Sequence, residues 1–152
     1  MPRIENSIVI AADPRQVFDI TNDIERWSEI FNEYSKARVV SEERDGRWTE
    51  IVFELTNEEG ATWRSWRILD HRELVAVAER RDPLFPFGFM HLRWTCTPDP
   101  AGTLMTWIQD FELDPEFTVP LETVLERMNL HTRENQAGIK QKIESGAVTA
   151  RS

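Results

Sequence analysis

Apolar and polar residues alternate with a period of two through most of the middle of the chain, from Tyr34 to Leu113. The alternation is clearest over 47–55, where Ile51, Phe53 and Leu55 share one face of an extended segment. Turn-forming residues interrupt the alternation at intervals, as between the strands of hairpins. The pattern therefore predicts six consecutive strands, over residues 34–42, 47–55, 61–69, 74–80, 87–97 and 103–113.

Both ends of the chain follow different patterns. A β-branched segment over 4–10 predicts a first strand, and Asp13 and Pro14 then supply the cap and first residue of a short helix. A second short helix ends at Ile30, and a single long helix is predicted over 118–145. The stripe of this helix expected to face inward consists of Leu121, Val124, Leu125, Met128, Thr132, Asn135, Ile139 and Ile143.

This order of elements predicts an α+β fold, because consecutive hairpin-linked strands form an antiparallel sheet and helices at the two ends must cover it. A strongly twisted sheet has a concave face, and one long amphipathic helix packed against that face can enclose a cavity. The length of 152 residues corresponds to one domain, which we expect over 1–152.

Composition excludes several classes of protein. A net charge of −9 is unfavourable for binding nucleic acid or an anionic membrane. The single cysteine allows neither an internal disulfide nor a cysteine-based zinc site. The sequence shows neither an apolar run long enough to span a membrane nor the features of a signal peptide, so we expect a cytoplasmic location.

Polar residues occur among the bulky apolar residues of several predicted inward faces. In the segment 61–69, Trp63, Ser65 and Arg67 share one face with Ala61 and Leu69, and the alternation alone leaves open whether this face or the opposite one points inward. Met90, Leu92 and Trp94 share another face. Gln109 interrupts an apolar face of the last strand, and Thr132 and Asn135 interrupt the helix stripe. Buried polar groups need partners, so this set indicates a pocket more than a plain core.

The sequence lacks the motifs of several catalytic classes. The three histidines are scattered, so no metal-binding triad is visible. The six glycines form no phosphate-binding loop, and no Gly-x-Ser-x-Gly segment occurs. What remains is a hydrophobic pocket with hydrogen-bonding groups and one permanent cation.

Five segments, in order and at matching spacing, resemble the single-domain aromatase/cyclases of bacterial type II aromatic polyketide synthesis, which belong to the START-like, helix-grip superfamily. The resemblance spans roughly residues 5–145. These segments are residues 21–34, 63–67, 86–94, 105–111 and 132–135.

The resemblance implies a seven-stranded antiparallel sheet around the C-terminal helix, and a pocket that receives a poly-β-ketone chain tethered to an acyl carrier protein. It implies first-ring closure by an aldol reaction and then dehydration to an aromatic ring, with chains supplied by a minimal polyketide synthase. Arg67 matches the main catalytic position of the family and Tyr34 its pocket tyrosine. Further substrate-binding positions match Trp27, Phe31, Trp63, Ser65, Arg80, Met90, Trp94, Gln109 and Asn135.

These residue types suit the reaction. Arg67 can polarise a ketone and stabilise the developing alkoxide, Tyr34 can transfer a proton, and aromatic walls can fold the chain. No cofactor is needed, because the reaction has no net redox change, and no metal site is expected. Two departures from the family affect this interpretation: Arg127 replaces a frequent helix histidine, and Ala61 replaces a second aromatic residue, which we expect to widen one wall.

Two alternatives to the enzyme remain open at this point: a non-catalytic carrier, and an interaction module that uses the acidic surface, which no motif supports. START-like domains include non-catalytic carriers of hydrophobic ligands, and an apolar cavity suits that role as well.

An acidic acyl carrier protein would need a local basic patch on this acidic chain. The candidates are Arg81, Arg93 and, if it is exposed, Arg80, around the predicted loop 81–88.

Overall fold

The computed structural model describes residues 1–151 and contains seven strands and three α-helices. A 3₁₀ turn over Ile24–Arg26 precedes the second helix. The strands are β1 (Arg3–Ile10), β2 (Tyr34–Asp45), β3 (Trp48–Asn57), β4 (Thr62–Asp70), β5 (Val75–Arg80), β6 (Phe87–Asp99) and β7 (Gly102–Leu113). The helices are α1 (Pro14–Thr21), α2 (Trp27–Ile30) and α3 (Leu121–Glu144).

All seven strands form one antiparallel sheet in the order β1-β7-β6-β5-β4-β3-β2. Strands β2 to β7 are linked as a continuous meander, and β1 pairs with β7 at one edge. The long helix α3 packs on the inner side of the sheet and contacts β1 most extensively. The predicted α+β fold, with a seven-stranded sheet around a long C-terminal helix, is confirmed.

Two apolar clusters lie between the sheet and the helices. The larger one joins α1 and α2 to the sheet and includes Phe18, Trp27 and Phe53. The smaller one, around Met90 and Phe111, packs against the N-terminal half of α3. Side chains from both clusters border the pocket described below, which therefore has walls held by well-packed core.

The long helix differs from its prediction in two details. It begins at Leu121 rather than near 118, because Pro120 occupies the N-terminal cap position. Leu121 was predicted to face inward but is exposed, since the first turn of α3 extends beyond the core. The sequence also gave no indication that Gln136 is buried; its side-chain amide donates to the Asn6 carbonyl oxygen over 3.0 Å.

Candidate functional site

A cavity of about 190 Å³ opens between the concave face of the sheet and helix α3. Nine of the eleven predicted site residues line it. The apolar members of this group are Trp27, Trp63, Met90 and Trp94. The polar members are Tyr34, Ser65, Arg67, Arg80 and Gln109.

The structure shows which face of β4 points into the pocket, a question that the alternation alone left open. Ser65 and Arg67 are buried and Trp63 is partly buried, whereas Trp66 lies on the outer face, where its indole N–H donates to Glu50. The inward orientation that follows from matching Trp63, Ser65 and Arg67 to pocket positions of the family is therefore correct. Leu55 of the neighbouring strand lies beside Trp63 in the register and also lines the cavity.

Arg67 is the central polar group of the pocket. Its side chain is only 2% exposed, and its guanidinium carbon lies 4.2 Å from the ring centroid of Trp94 and 5.1 Å from that of Trp27. Such stacking uses the attraction between a cation and the face of an aromatic ring. One guanidinium nitrogen, Nη1, donates to the side-chain oxygen of Asn22 over 2.9 Å.

The positive charge of Arg67 has no anionic partner in the empty pocket. Within residues 1–151, Arg67 takes part in no salt bridge, and its buried Nε has no hydrogen-bond acceptor. Burial lowers the pKa of Arg67 to about 9, so the guanidinium remains charged at neutral pH. The decrease of this pKa from 12.5 corresponds to a free-energy cost on the order of 5 kcal/mol for keeping the buried guanidinium charged.

Arg80 has a different role from Arg67, because its donors are used within the protein. Nε donates to the carbonyl oxygen of Pro83 over 2.9 Å and Nη2 donates to that of Phe85 over 3.1 Å. The guanidinium also lies 4.5 Å from the ring centroid of Trp63. Arg80 thus holds the loop after β5 at the rim of the pocket. Because it is partly buried in these contacts, it is not an exposed docking residue.

Stacked aromatic rings form the inner wall. Trp94 stacks on Trp107 with centroids 4.1 Å apart, and Trp27 stacks on Trp94 at 5.7 Å. Phe31 was predicted to line the pocket, but it lies behind this wall and packs against Trp27 at 5.0 Å and Tyr34 at 5.4 Å. The prediction failed because the α2–β2 junction turns the Phe31 ring into the core.

The Tyr34 hydroxyl lies beside a carboxylate that the sequence did not single out. Burial, and then the negative charge of Glu33, raise the pKa of Tyr34 well above its usual value. Arg67 and Arg80 oppose that shift. Tyr34 therefore keeps its proton over the ordinary pH range and can donate a hydrogen bond.

Asn135 was predicted to contact the substrate, but it does not line the pocket. Its amide nitrogen instead donates to Oε1 of Glu33 over 3.2 Å, and Glu33 lines the pocket in its place. One turn earlier on α3, the Thr132 hydroxyl donates to Oε1 of Gln109 over 3.0 Å. The two polar interruptions of the helix stripe therefore hold pocket side chains in position.

Asn22 and Glu33 are the site residues that sequence reasoning missed. Asn22 resembled an ordinary helix breaker, and only the fold shows that it reaches Arg67 across 45 positions of the chain. A signal for Glu33 was present, since it is a carboxylate between Phe31 and Tyr34 in an aromatic segment.

The two departures from the family pattern lie outside the pocket. Arg127 is exposed on α3, and Ala61 is exposed in the turn just before β4. The expectation that Ala61 widens a pocket wall is therefore wrong, because β4 begins after it.

In residues 1–151, no group of three or more His, Cys, Asp or Glu side chains could hold a metal ion. None of the helices described is long and apolar enough to cross a membrane.

Comparisons with known proteins agree on a family. Residues 1–144 match the family described as polyketide cyclase/dehydrase and lipid transport. A relative from Streptomyces cyaneus, provisionally named a polyketide cyclase, is 37% identical over 151 residues, which cover 95% of each chain. A relative of the same provisional name from Streptomyces halstedii is 40% identical over 110 residues, covering 68% of this chain and 95% of that protein.

Solved structures show the same fold at low sequence identity. The Zhui aromatase/cyclase from a Streptomyces species superposes with a TM-score of 0.73 at 17% identity, covering 96% of this chain and 93% of that one. A START-superfamily protein from Mycobacterium smegmatis gives 0.72 at 18% identity, covering 93% and 98%. These similarities establish the START-like, helix-grip architecture.

Proposed function

We propose that this chain, which belongs to the polyketide cyclase/dehydrase and lipid transport family, is a cofactor-independent aromatase/cyclase. Its substrate is a poly-β-ketone tethered to an acyl carrier protein, supplied in the cytoplasm by a type II polyketide synthase of an antibiotic pathway. The pocket promotes aldol closure of the first ring and then dehydration to an aromatic product.

The observation that supports this proposal best is the unpaired charge of Arg67. A carrier of apolar ligands gains little from a buried cation, and burial without an anion is unfavourable for the folded protein. A cation that lines an aromatic pocket, with an Nε that has no acceptor in the protein, instead suits a reaction in which negative charge develops on oxygen. This feature favours the enzyme over the non-catalytic carrier.

In the proposed reaction the polar groups have separate tasks. Arg67 polarises the ketone that is attacked and stabilises the alkoxide that forms on it. Tyr34 keeps its proton and donates a hydrogen bond to a chain oxygen. The Ser65 hydroxyl and the free amide nitrogen of Gln109 hold other carbonyl groups, since Thr132 already occupies the Gln109 oxygen.

The size and walls of the pocket control the shape of the chain. The cavity of about 190 Å³ is smaller than the roughly 300–1,000 Å³ of sites for drug-sized ligands. It therefore accommodates the reacting segment, while the remainder of the chain extends through the opening towards the carrier protein. Stacked Trp27 and Trp94 limit the conformers of that segment, which brings the reacting carbons together.

Reconstitution with a minimal polyketide synthase tests the reaction. Poly-β-ketones also cyclise spontaneously, so the informative quantity is the ratio of one regiospecific product to the mixture of spontaneous products. We expect the protein to raise this ratio strongly. An unchanged product mixture, with an aromatic product still quenching the fluorescence of the pocket tryptophans, would contradict the cyclase and support the carrier.

The carrier protein is proposed to dock beside the loop that follows β5. Arg81 has a half-exposed side chain there, held 3.0 Å from Glu79, and Arg93 is exposed on β6. These charges offer a local attraction to an acidic partner on a chain of net charge −9.

Charge reversal tests this docking site. We expect Arg81→Glu to weaken use of carrier-bound substrate several-fold while binding of a free aromatic product is unchanged. Arg44→Glu is the matched control, because Arg44 is exposed near the opposite end of the sheet. Equal effects of the two reversals would contradict docking at this loop.

A further inference from the structure

Glu33 occupies the boundary between two cavities. On one side it lines the pocket that contains Arg67 and Tyr34. On the other side it lines an outer cavity of about 180 Å³, together with His131 and Asn135 of α3. A carboxylate in this position can reach both a bound substrate and the solvent side of the helix.

From this placement we infer that Glu33 is the general base and acid of the pocket, exchanging its proton with solvent through the outer cavity. The inference rests on the proposed cyclase function. It gives Arg67 the role of fixed charge and Glu33 the role of proton carrier. Arg67 is poorly suited to carrying the proton, because its guanidinium stays charged at neutral pH.

The proton balance of ring closure is complete with this one group. The Glu33 carboxylate removes a proton from a methylene between two carbonyls, and the resulting enolate carbon forms the new carbon–carbon bond. The electron pair of the attacked carbonyl moves to its oxygen, next to Arg67, and the Glu33 proton neutralises that alkoxide. Dehydration then removes a second carbon-bound proton and expels the hydroxyl group as water, so Glu33 ends as a carboxylate.

The surroundings of Glu33 suit a group that must both lose and gain a proton. Burial raises its pKa, whereas Tyr34, His131 and Asn135 each lower it. On the pocket side, the positive charges of Arg67 and Arg80 lie near Tyr34, and Glu134 borders the outer cavity. A carboxylate whose pKa is raised is a more effective general base than an ordinary one.

Substitution of Glu33 by its uncharged isostere tests the inference. Glu33→Gln preserves size and one acceptor oxygen but cannot carry a proton, so we expect the ratio of regiospecific to spontaneous product to fall about 100-fold or more. Quenching by a free aromatic product should remain. Asp19→Asn is the matched control: burial also raises the pKa of Asp19, but Asp19 does not line this pocket, and its loss should leave the ratio unchanged.

The pH dependence supplies a second readout. In the wild type the ratio should fall at acidic pH as Glu33 becomes protonated, whereas in Glu33→Gln it should be low and flat. Asn135→Ala removes a hydrogen bond that lowers the pKa of Glu33, so the acid limb should move to higher pH. An acid limb that stays in place in Asn135→Ala would show that a group other than Glu33 sets it, which would overturn the inference.

The possible failures are distinguishable. If wild type directs cyclisation and Glu33→Gln does so equally well, the role of Glu33 is wrong and the proposed function stands. If wild type itself does not alter the product mixture, the proposed function fails.

Discussion

Arg67 and Asp70, two charged residues three positions apart on strand β4, have opposite surroundings. Asp70 accepts two hydrogen bonds from Arg47, at 3.0 and 2.5 Å, and two more from the backbone N–H groups of Arg72 and Glu73. These contacts lower the pKa of Asp70 to about 2. Arg67 has one hydrogen bond, to a neutral amide, and no counter-charge.

The difference separates a structural charge from a functional one. Every oxygen of Asp70 is satisfied within the protein, so the residue contributes to folding and leaves nothing for a ligand. Arg67 is buried at a free-energy cost, and its Nε has no acceptor within the protein. This charge and this donor therefore remain available to an oxygen atom of a bound ligand. Substitutions at four positions test this contrast.

Removal of Arg67 should have the largest effect on the reaction. We expect Arg67→Ala to lower regiospecific cyclisation by about 100- to 1000-fold, as for loss of an oxyanion donor, with the melting temperature unchanged or raised. Arg67→Lys should recover part of the activity, because it keeps the charge and loses the planar fork. Full activity in Arg67→Ala would remove the proposed mechanism, and unfolding would identify Arg67 as a structural residue.

Giving Arg67 the partner it lacks should erase the contrast with Asp70. Asn22→Asp places a carboxylate where the amide oxygen now accepts from Arg67, so the two charges pair and the cation is neutralised. We expect cyclisation to fall about 10- to 100-fold, less than for complete loss of the donor. Asn22→Ala, which adds no charge, should retain more activity. Equal losses in the two variants would show that the hydrogen bond, not the free charge, matters.

Removal of the Asp70 charge should affect stability and not the reaction. A carboxyl whose pKa is lowered from 3.8 to about 2 stabilises the fold above about pH 4, and that contribution disappears as pH falls through about 2. We expect Asp70→Asn to lower the melting temperature by a few degrees at neutral pH, with the difference shrinking in acid. Loss of regiospecific product in Asp70→Asn would contradict a purely structural role for Asp70.

Tyr34→Phe should give the smallest loss among the changes that are expected to slow the reaction. It retains the ring that stacks on Trp27, with centroids 5.9 Å apart, and removes only the hydroxyl. We expect turnover to fall about tenfold, equivalent to one hydrogen bond of about 1.4 kcal/mol, with product quenching unchanged. Weaker quenching would instead assign Tyr34 to binding.

Much of this protein follows from local sequence patterns. The period-two alternation and its turns locate β2 to β7, and Pro120 and Gly146 bracket the long helix. Such patterns are reliable because side-chain period and turn chemistry are properties of neighbouring residues. Extended alternation also fixed which residues share a face with Arg67, though not which way that face points.

Only the tertiary structure decided the orientation of that face and the partners of the pocket residues. Arg67 meets Asn22, and Asn135 meets Glu33 across 102 positions, so no local pattern could pair them. Phe31 and Leu121 were misplaced because the exact direction of a side chain at the end of an element depends on how that element packs. A sequence determines local conformation through neighbours along the chain, whereas burial and charge pairing depend on distances that exist only after the sheet closes around its helix.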